Sequence, residues 1–337
     1  MSKRKISHKQ AWRLKKIQEE RLERAQKKVD KETEKLTPDQ LGHEQSGLVI
    51  ANYGVKLIIE DVQGAHINCH ARQNLGSIVV GDQVAWQRID DFSGVVVACK
   101  PRNSLLQRPL PSGETKTVAA NIEQIVILFS PLPELQPTLL DQYLVATEEA
   151  NIKAIIVVNK IDLLNDAQHT EVNKLLRIYE EIGYATHSIS VKQSIGINEL
   201  CVLLDHNLSI LVGQSGVGKS STINTLLPNI NIQVGELSQN TQLGKHTTSA
   251  SKLYHLANGG SIIDSPGVRD FGLWNIPEQH IVFGFKEFRK HLGRCKFSNC
   301  THKQEPGCAI KAAVKDGQIN PQRLSSYQQI IHKLQNT

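Results

Sequence analysis

Hydrophobic positions change their spacing several times along this chain. Residues 1–35 are rich in Lys, Arg, Glu, Gln and Ala and contain neither Gly nor Pro; their apolar residues are few (Trp12, Leu14, Ile17, Leu22, Val29). Such a segment suits a helix but cannot build a core alone. From 46 to 100, apolar and polar residues alternate in five short runs: SGLVIANY, VKLIIED, AHINCHAR, DQVAWQRI and GVVVACK. Gly54, Gly64, Gly76, Gly81 and Gly94 punctuate them. Five short strands in so little chain predict a small Greek-key barrel of the OB type. From about residue 104 the period becomes α/β. The runs at 122–130, 152–158 and 208–213 are predominantly apolar, as buried parallel strands require. Segments 138–150, 171–183 and 197–204 have helical spacing. A β-pair, SKLYHLA and GSIIDSPG, comes next, and a helix-rich region starts near residue 274.

This pattern divides the chain into an arm (1–40), a barrel (41–103), a parallel α/β domain (104–273) and a small helical domain (274–337). With 337 residues, two or three domains are the prior. No apolar run approaches the ~20 residues needed to span a bilayer. The basic N-terminus lacks the apolar stretch of a secretory signal. Of six cysteines, Cys295, Cys300 and Cys308 crowd together while Cys69, Cys99 and Cys201 are scattered. That suits a reduced, cytoplasmic setting with one metal site better than a disulfide framework.

Charge changes the picture at the N-terminus. The net charge is +6, yet residues 1–35 alone hold 13 Lys/Arg against 6 Asp/Glu, so the rest of the chain nets −1. The arm therefore reads either as a polyanion-binding segment or as a solvated tail. The barrel offers Tyr53, Trp86 and Phe92 as its aromatics, which leaves an RNA-binding face and a docking module both open.

Candidate chemistry begins at 213–220, GQSGVGKS, a match to the phosphate-binding pattern G-x-x-x-x-G-K-[ST]. Gly213 lets the chain leave its strand sharply. Gly216 and Gly218 let the N–H groups of Gln214, Ser215, Val217 and their neighbours approach phosphate oxygens. Lys219 supplies a charge to the β- and γ-phosphates and Ser220 a hydroxyl to Mg²⁺. The helix from Ser221 aims its positive end at the anion.

Upstream, at the end of an apolar strand, stands NKID, with Asn159, Lys160, Ile161 and Asp162. A carboxylate at 162 can accept N1–H and the 2-amino group of guanine, whereas adenine would leave it unpaired. Ser190, in SVK at 190–192, is the candidate for a second base-contacting loop. Asp264 and Gly267 of DSPG are expected to hold Mg²⁺ through its water and to sense the γ-phosphate. Segment 229–250 reads as a switch loop in which Thr248, or its neighbour Thr247, completes the Mg²⁺ site. Val268 stands where Ras-like enzymes place a water-orienting Gln, so His246 is the candidate for that role. Hydrolysis and a GTP sensor without turnover are both consistent with these motifs.

The motif order is reversed. In ordinary small GTPases the base motif follows the phosphate loop; here it precedes it, which predicts a circularly permuted domain ending at DSPG. Residues 274–337 are thereby attached to the element that responds to γ-phosphate, and their position is expected to follow nucleotide state. They contain Cys295, Cys300, His302 and Cys308, three thiolates and an imidazole able to close a tetrahedral structural Zn²⁺ site, with His291 as a competing ligand. Lys286, Arg289, Lys290, Arg294, Lys296 and Lys303 are expected to form a phosphate-contacting patch.

Together these residues resemble the RsgA (YjeQ) family of circularly permuted GTPases that depend on the small ribosomal subunit. The resemblance covers residue 40 to the C-terminus and rests on GQSGVGKS, GKHTT, DSPGVRDFGLW and the cysteine cluster. It implies a late assembly factor of the 30S subunit that binds the subunit and its 16S rRNA with GTP. Hydrolysis to GDP is stimulated by the subunit, and the factor then leaves. It also supports His246 as catalytic and the four zinc ligands named above. A monomer is expected. Gly216 occupies the place where some relatives use an Asn to bind K⁺.

Overall fold

A computed structural model describes residues 41–72, 75–109, 114–133, 135–228, 251–265 and 276–335. The arm, the switch segment with His246, Thr247 and Thr248, and Gly267 with Val268 lie outside these residues. The chain divides into two compact units, which meet in sequence at Arg102 and Asn103.

The first unit is a barrel of β1 (Glu44–Asn52), β2 (Leu57–Asp61), β3 (His66–Ala71), β4 (Gln83–Arg88) and β5 (Ser93–Cys99). β1 pairs antiparallel with β2, β2 with β3, and β4 with β5. β3 runs parallel to β5, and β1 closes the circuit on β4. Alternation along the strands sends Val49, Leu57, Ile59, Ile67, Cys69, Val84, Trp86 and Val96 inward. Trp86 fills the centre because two glycines leave it room. A Cβ on Gly47 would lie 3.0 Å from its indole ring, and one on Gly94 2.7 Å from it. Arg102 closes the end of the unit by donating Nε and Nη2 to the two carboxylate oxygens of buried Asp82 at 2.6 and 2.7 Å.

The second unit opens with a hairpin that the apolar periodicity did not announce. β6 (Leu105–Pro109) and β7 (Thr115–Ala120) form an antiparallel two-stranded sheet of their own. The expectation of α/β structure from residue 104 is thus corrected. Among the described residues of this hairpin, only Leu106, Ala119 and Ala120 are buried, too few to give a buried-strand signal.

A parallel sheet follows. Its strands are β8 (Gln124–Phe129), β9 (Lys153–Val158), β10 (Ala185–Ser188), β11 (Leu208–Val212) and, after β12 (Lys252–His255), β13 (Ser261–Asp264). The order across it is β10-β9-β8-β11-β13, every neighbouring pair parallel. Chain progression runs outward from β8 to β10, then returns to place β11 on the other side of β8. The switch point is therefore the β8/β11 boundary, where open α/β sheets bind ligands outside the strand ends. All six residues of β8 are buried. Its one polar member, Gln124, donates Nε2 to Leu203 O and Ser209 Oγ at 3.0 and 2.9 Å.

Among the described residues, four helices pack with the sheet: α1 (Pro137–Glu149), α2 (Asp166–Ile182), α3 (Ile197–Leu204) and α4 (Lys219–Leu226). The last begins two residues before the Ser221 expected from sequence. α2 starts on a reciprocal cap between Asn165 and Gln168 and stops at Gly183, whose φ of 98° is open to glycine.

The C-terminal region contains short turns at 278–291, α5 among them (Glu278–Ile281), then α6 (Ala309–Lys315) and α7 (Pro321–Gln335). It does not stand apart. Val145 of α1 belongs to its core, with Ile281, Phe285, Phe288, Ile310, Tyr327 and Ile330. A Cβ on Gly284 would come 2.6 Å from Val145. Buried Arg323 of α7 forms ion pairs with Asp141 of α1 and Glu287, and its guanidinium lies over Phe285 and Tyr179. The described contacts thus fasten this region to α1 and α2, where sequence order alone suggested attachment through the switch.

Candidate functional site

The phosphate loop leaves β11 at the switch point. Gly213 has φ 139°, and a Cβ there would lie 2.1 Å from Leu128 O of the adjacent strand, so glycine is required for the chain to turn over β8. Gly216 and Gly218 also take positive φ, 83° and 100°. Val217 is buried under the loop while Ser215 and Gly216 are exposed. Lys219 Nζ donates to Gly213 O and Gln214 O, both at 2.6 Å, which curls the side chain back over its own loop. Ser220 and Ser221 follow in the first turn of α4.

The base motif arrives from β9, two strands away. Buried Asn159 donates Nδ2 to Val217 O at 3.0 Å, and its Oδ1 accepts from Lys160 N and Val191 N at 2.8 and 3.2 Å. Lys160, at φ 63°, donates Nζ to Gly216 O at 2.5 Å and Leu132 O at 3.3 Å. Ile161 N is held by Ile189 O at 3.3 Å. Ser190, fully buried, donates Oγ to Asp162 Oδ1 at 2.6 Å and accepts from Gln193 N at 3.1 Å.

Four loops, with bonded residues up to 58 positions apart, therefore form one hydrogen-bonded assembly at the C-terminal ends of β8, β9, β10 and β11. The segment 130–133, which supplies the Leu132 carbonyl, was not foreseen. A backbone acceptor carries no side-chain signature. Asp264 ends β13, beside β11.

A second cluster lies in the C-terminal region. Ligating atoms of Cys295, Cys300, His302 and Cys308 all fall within 4.8 Å of one another, the one such group among the described residues that includes a thiol. His302 Nδ1 is 3.6, 3.5 and 3.4 Å from the sulfurs of Cys295, Cys300 and Cys308. A tetrahedral ion with metal–sulfur and metal–nitrogen distances of about 2.3 and 2.05 Å separates sulfur and nitrogen by about 3.5–3.6 Å, so the donor set fits a metal ion of that kind. Burial holds the His302 imidazole below its usual pKa, which favours the neutral form a metal needs. Ala309 N donates to Cys295 Sγ at 3.3 Å.

His291 is buried but stands outside the cluster, so it does not compete for the ion. Glu305, unremarked in the sequence, organises the turn that carries His302. Its carboxylate accepts from Thr301 N and Oγ, Lys303 N and Gln304 N at 2.5–3.0 Å. Of the basic side chains expected to form a patch, Lys286 and Arg289 share one ion-pair partner, Glu148 of α1, at 3.0 and 2.7 Å.

Comparison with known proteins gives concordant results. A family model described as RsgA GTPase matches residues 99–274. Proteins named small ribosomal subunit biogenesis GTPase RsgA are similar over the full length. One from Azotobacter vinelandii is 45% identical over 99% of this chain and 98% of its own. One from Pseudomonas aeruginosa is 44% identical over 100% and 99%. Among solved structures, YjeQ from Thermotoga maritima superposes with a TM-score of 0.74 at 30% identity, covering 88% of this chain and all of its own. YloQ, described as a circularly permuted GTPase, gives 0.71 at 26%, covering 87% and 96%.

Proposed function

Because this chain belongs to the RsgA GTPase family, we propose that it is a late assembly factor of the small ribosomal subunit. It binds the 30S particle and its 16S rRNA in the GTP state, hydrolyses GTP when the particle stimulates it, and departs as the GDP form. Its domains are the arm, the barrel, the permuted GTPase domain and the zinc domain, and it works as a cytoplasmic monomer.

The observation that supports this reading most is the bond from Asn159 to Val217 O, which ties a base-reading motif to a phosphate loop far along the chain. In this reading Asp162 accepts the N1–H and 2-amino groups of guanine, while Ser190 and Asn159 fix its loop. The Lys160 stem covers the ring. Gly213 to Gly218, with Gln214, Ser215 and Val217, wrap the phosphates; Lys219 neutralises them, and Ser221 belongs to the helix end that faces them. Ser220, Thr248 and the water-mediated Asp264 are the Mg²⁺ ligands, and the ion offsets phosphate charge when bound. Gly267 senses the γ-phosphate, and His246 orients the attacking water. Zn²⁺ is the ion for Cys295, Cys300, His302 and Cys308. Four protein ligands leave no open position, so its role is structural.

The deciding experiment is GTP turnover by the full chain with 30S particles, with 50S particles and alone. Stimulation by 30S only is expected, and equal stimulation by 50S would reject the assignment. For His246→Ala, full retention of the stimulated rate would remove that residue from the mechanism.

A further inference from the structure

The segment that follows β10 is a closed ring. Ser190 and Ile195 exchange two backbone hydrogen bonds, each 3.0 Å, and enclose residues 191–194 between them. Its inner side carries the groups that touch the base motif: Ser190 Oγ on Asp162 and Val191 N on Asn159. One residue beyond the ring, Gly196 stands immediately before α3. Its φ is 69°, and no side chain caps the helix there.

What fixes this junction is a ring nitrogen. Half-buried His187, in β10, has Nε2 at 2.8 Å from Gly196 O. The same carbonyl accepts Leu200 N at 3.1 Å, so the two partners match its two lone pairs. The approach is close enough to exclude any other residue at 196. A Cβ would lie 2.4 Å from Ser188 O and 3.0 Å from His187 Nε2. The ring is therefore held on its base-facing side by Asp162 and Asn159 and at its exit by His187. Without the histidine donor, the exit would lose its tie to β10 and keep the Ser190–Ile195 pair and the Leu200 N bond to Gly196 O.

We infer that His187 is a positioning residue for guanine selection, clamping Gly196 O so that the 190–195 ring keeps Ser190 and Val191 on Asp162 and Asn159. This rests on the reading of that pocket as guanine-binding. His187 does not touch the base; it acts through the ring. The effect falls first on the nucleobase end, because the ring bonds Asp162 and Asn159 directly and reaches the phosphate loop only through Asn159, while Lys219 holds that loop by its own bonds to Gly213 O and Gln214 O.

The test uses the full chain with His187→Phe, which keeps a ring but removes the donor, and His187→Gln, whose Nε2 can stand where the imidazole Nε2 stood. Binding of GDP, IDP (which lacks the 2-amino group) and ADP is measured together with steady-state GTP turnover. Losing one hydrogen bond predicts a two- to tenfold weaker Kd for GDP in His187→Phe. A narrower GDP-over-IDP preference and a KM rise with kcat held accompany it, and His187→Gln returns to wild-type values. A Phe variant that binds GDP like wild type overturns the inference. So does a Gln variant as weak as Phe, or a parallel fall in kcat, any of which makes the contact merely structural. Should wild type bind ADP as tightly as GDP, the guanine reading itself fails; a neutral Phe variant with guanine preference intact sinks the clamp alone.

Discussion

Asn159 Nδ2 meets Val217 O at 3.0 Å, and the same amide nitrogen would lie 2.3 Å from a Cβ placed on Gly218. The base motif and the phosphate loop are thus packed so closely that only a glycine separates them. The contact works in both directions: Asn159 shapes the loop, and the loop fixes the strand end that bears Asp162.

Gly218→Ala is expected to damage nucleotide binding more than stability. The new methyl must displace the Asn159 amide, and Gly218 already sits at φ 100°, where a side chain costs about 1–3 kcal/mol. GDP affinity should fall about tenfold or more, with the far-ultraviolet spectrum unchanged. Titration with a fluorescent GDP analogue checks it.

Asp162→Asn exchanges an acceptor-only group for one that also donates. Two hydrogen bonds to a charged acceptor are lost or inverted, each worth about 1.5–3 kcal/mol, so GDP affinity should fall by about 10²–10⁴. Xanthosine diphosphate, whose 2-oxo group accepts, should gain. Competition binding with the two nucleotides decides, and an unchanged GDP preference would show that Asp162 does not read the base.

Acid should dissolve the turn that carries His302. Hydrogen bonds from Thr301, then from the nearby backbone, hold the Glu305 carboxyl down to about 2 from its ordinary 4.5. A depressed folded pKa means the stabilisation is present above about pH 4.5 and is lost as pH falls toward 2. Glu305→Ala is therefore expected to melt below wild type at pH 7. The gap in melting temperature should close as pH drops through that window. A constant gap would contradict the assignment.

Removing Arg323 should cost far more than removing a surface arginine. Its guanidinium is 1% exposed between Asp141 at 0% and Glu287 at 9%. Arg323→Met leaves two carboxylates without their cation, a loss of about 3–5 kcal/mol. Denaturant unfolding measures it. Because Arg323 joins α7 to α1, the variant should also loosen the segment that carries the Cys295–Cys308 cluster, visible as faster hydrogen exchange at 295–308.

Much of this molecule is written in its sequence because the chemistry is local. The barrel's alternation, the apolar runs of β8, β9 and β11, the glycines of 213–218 and the 295–308 cysteine spacing each need only neighbouring residues to be legible. Motif order even revealed the permutation, since it depends on position alone. Other features required the folded chain. The bracing of Lys160 by Leu132 O, the clamp of His187 on Gly196 O and the Glu305 cradle all use backbone groups, which every residue carries alike. The pairing of Lys286 and Arg289 with Glu148, and the docking of α7 on α1 through Arg323 and Asp141, join residues 138 to 182 positions apart. Whether a charge faces solvent or a buried partner is decided by distance in space, which only the tertiary fold sets.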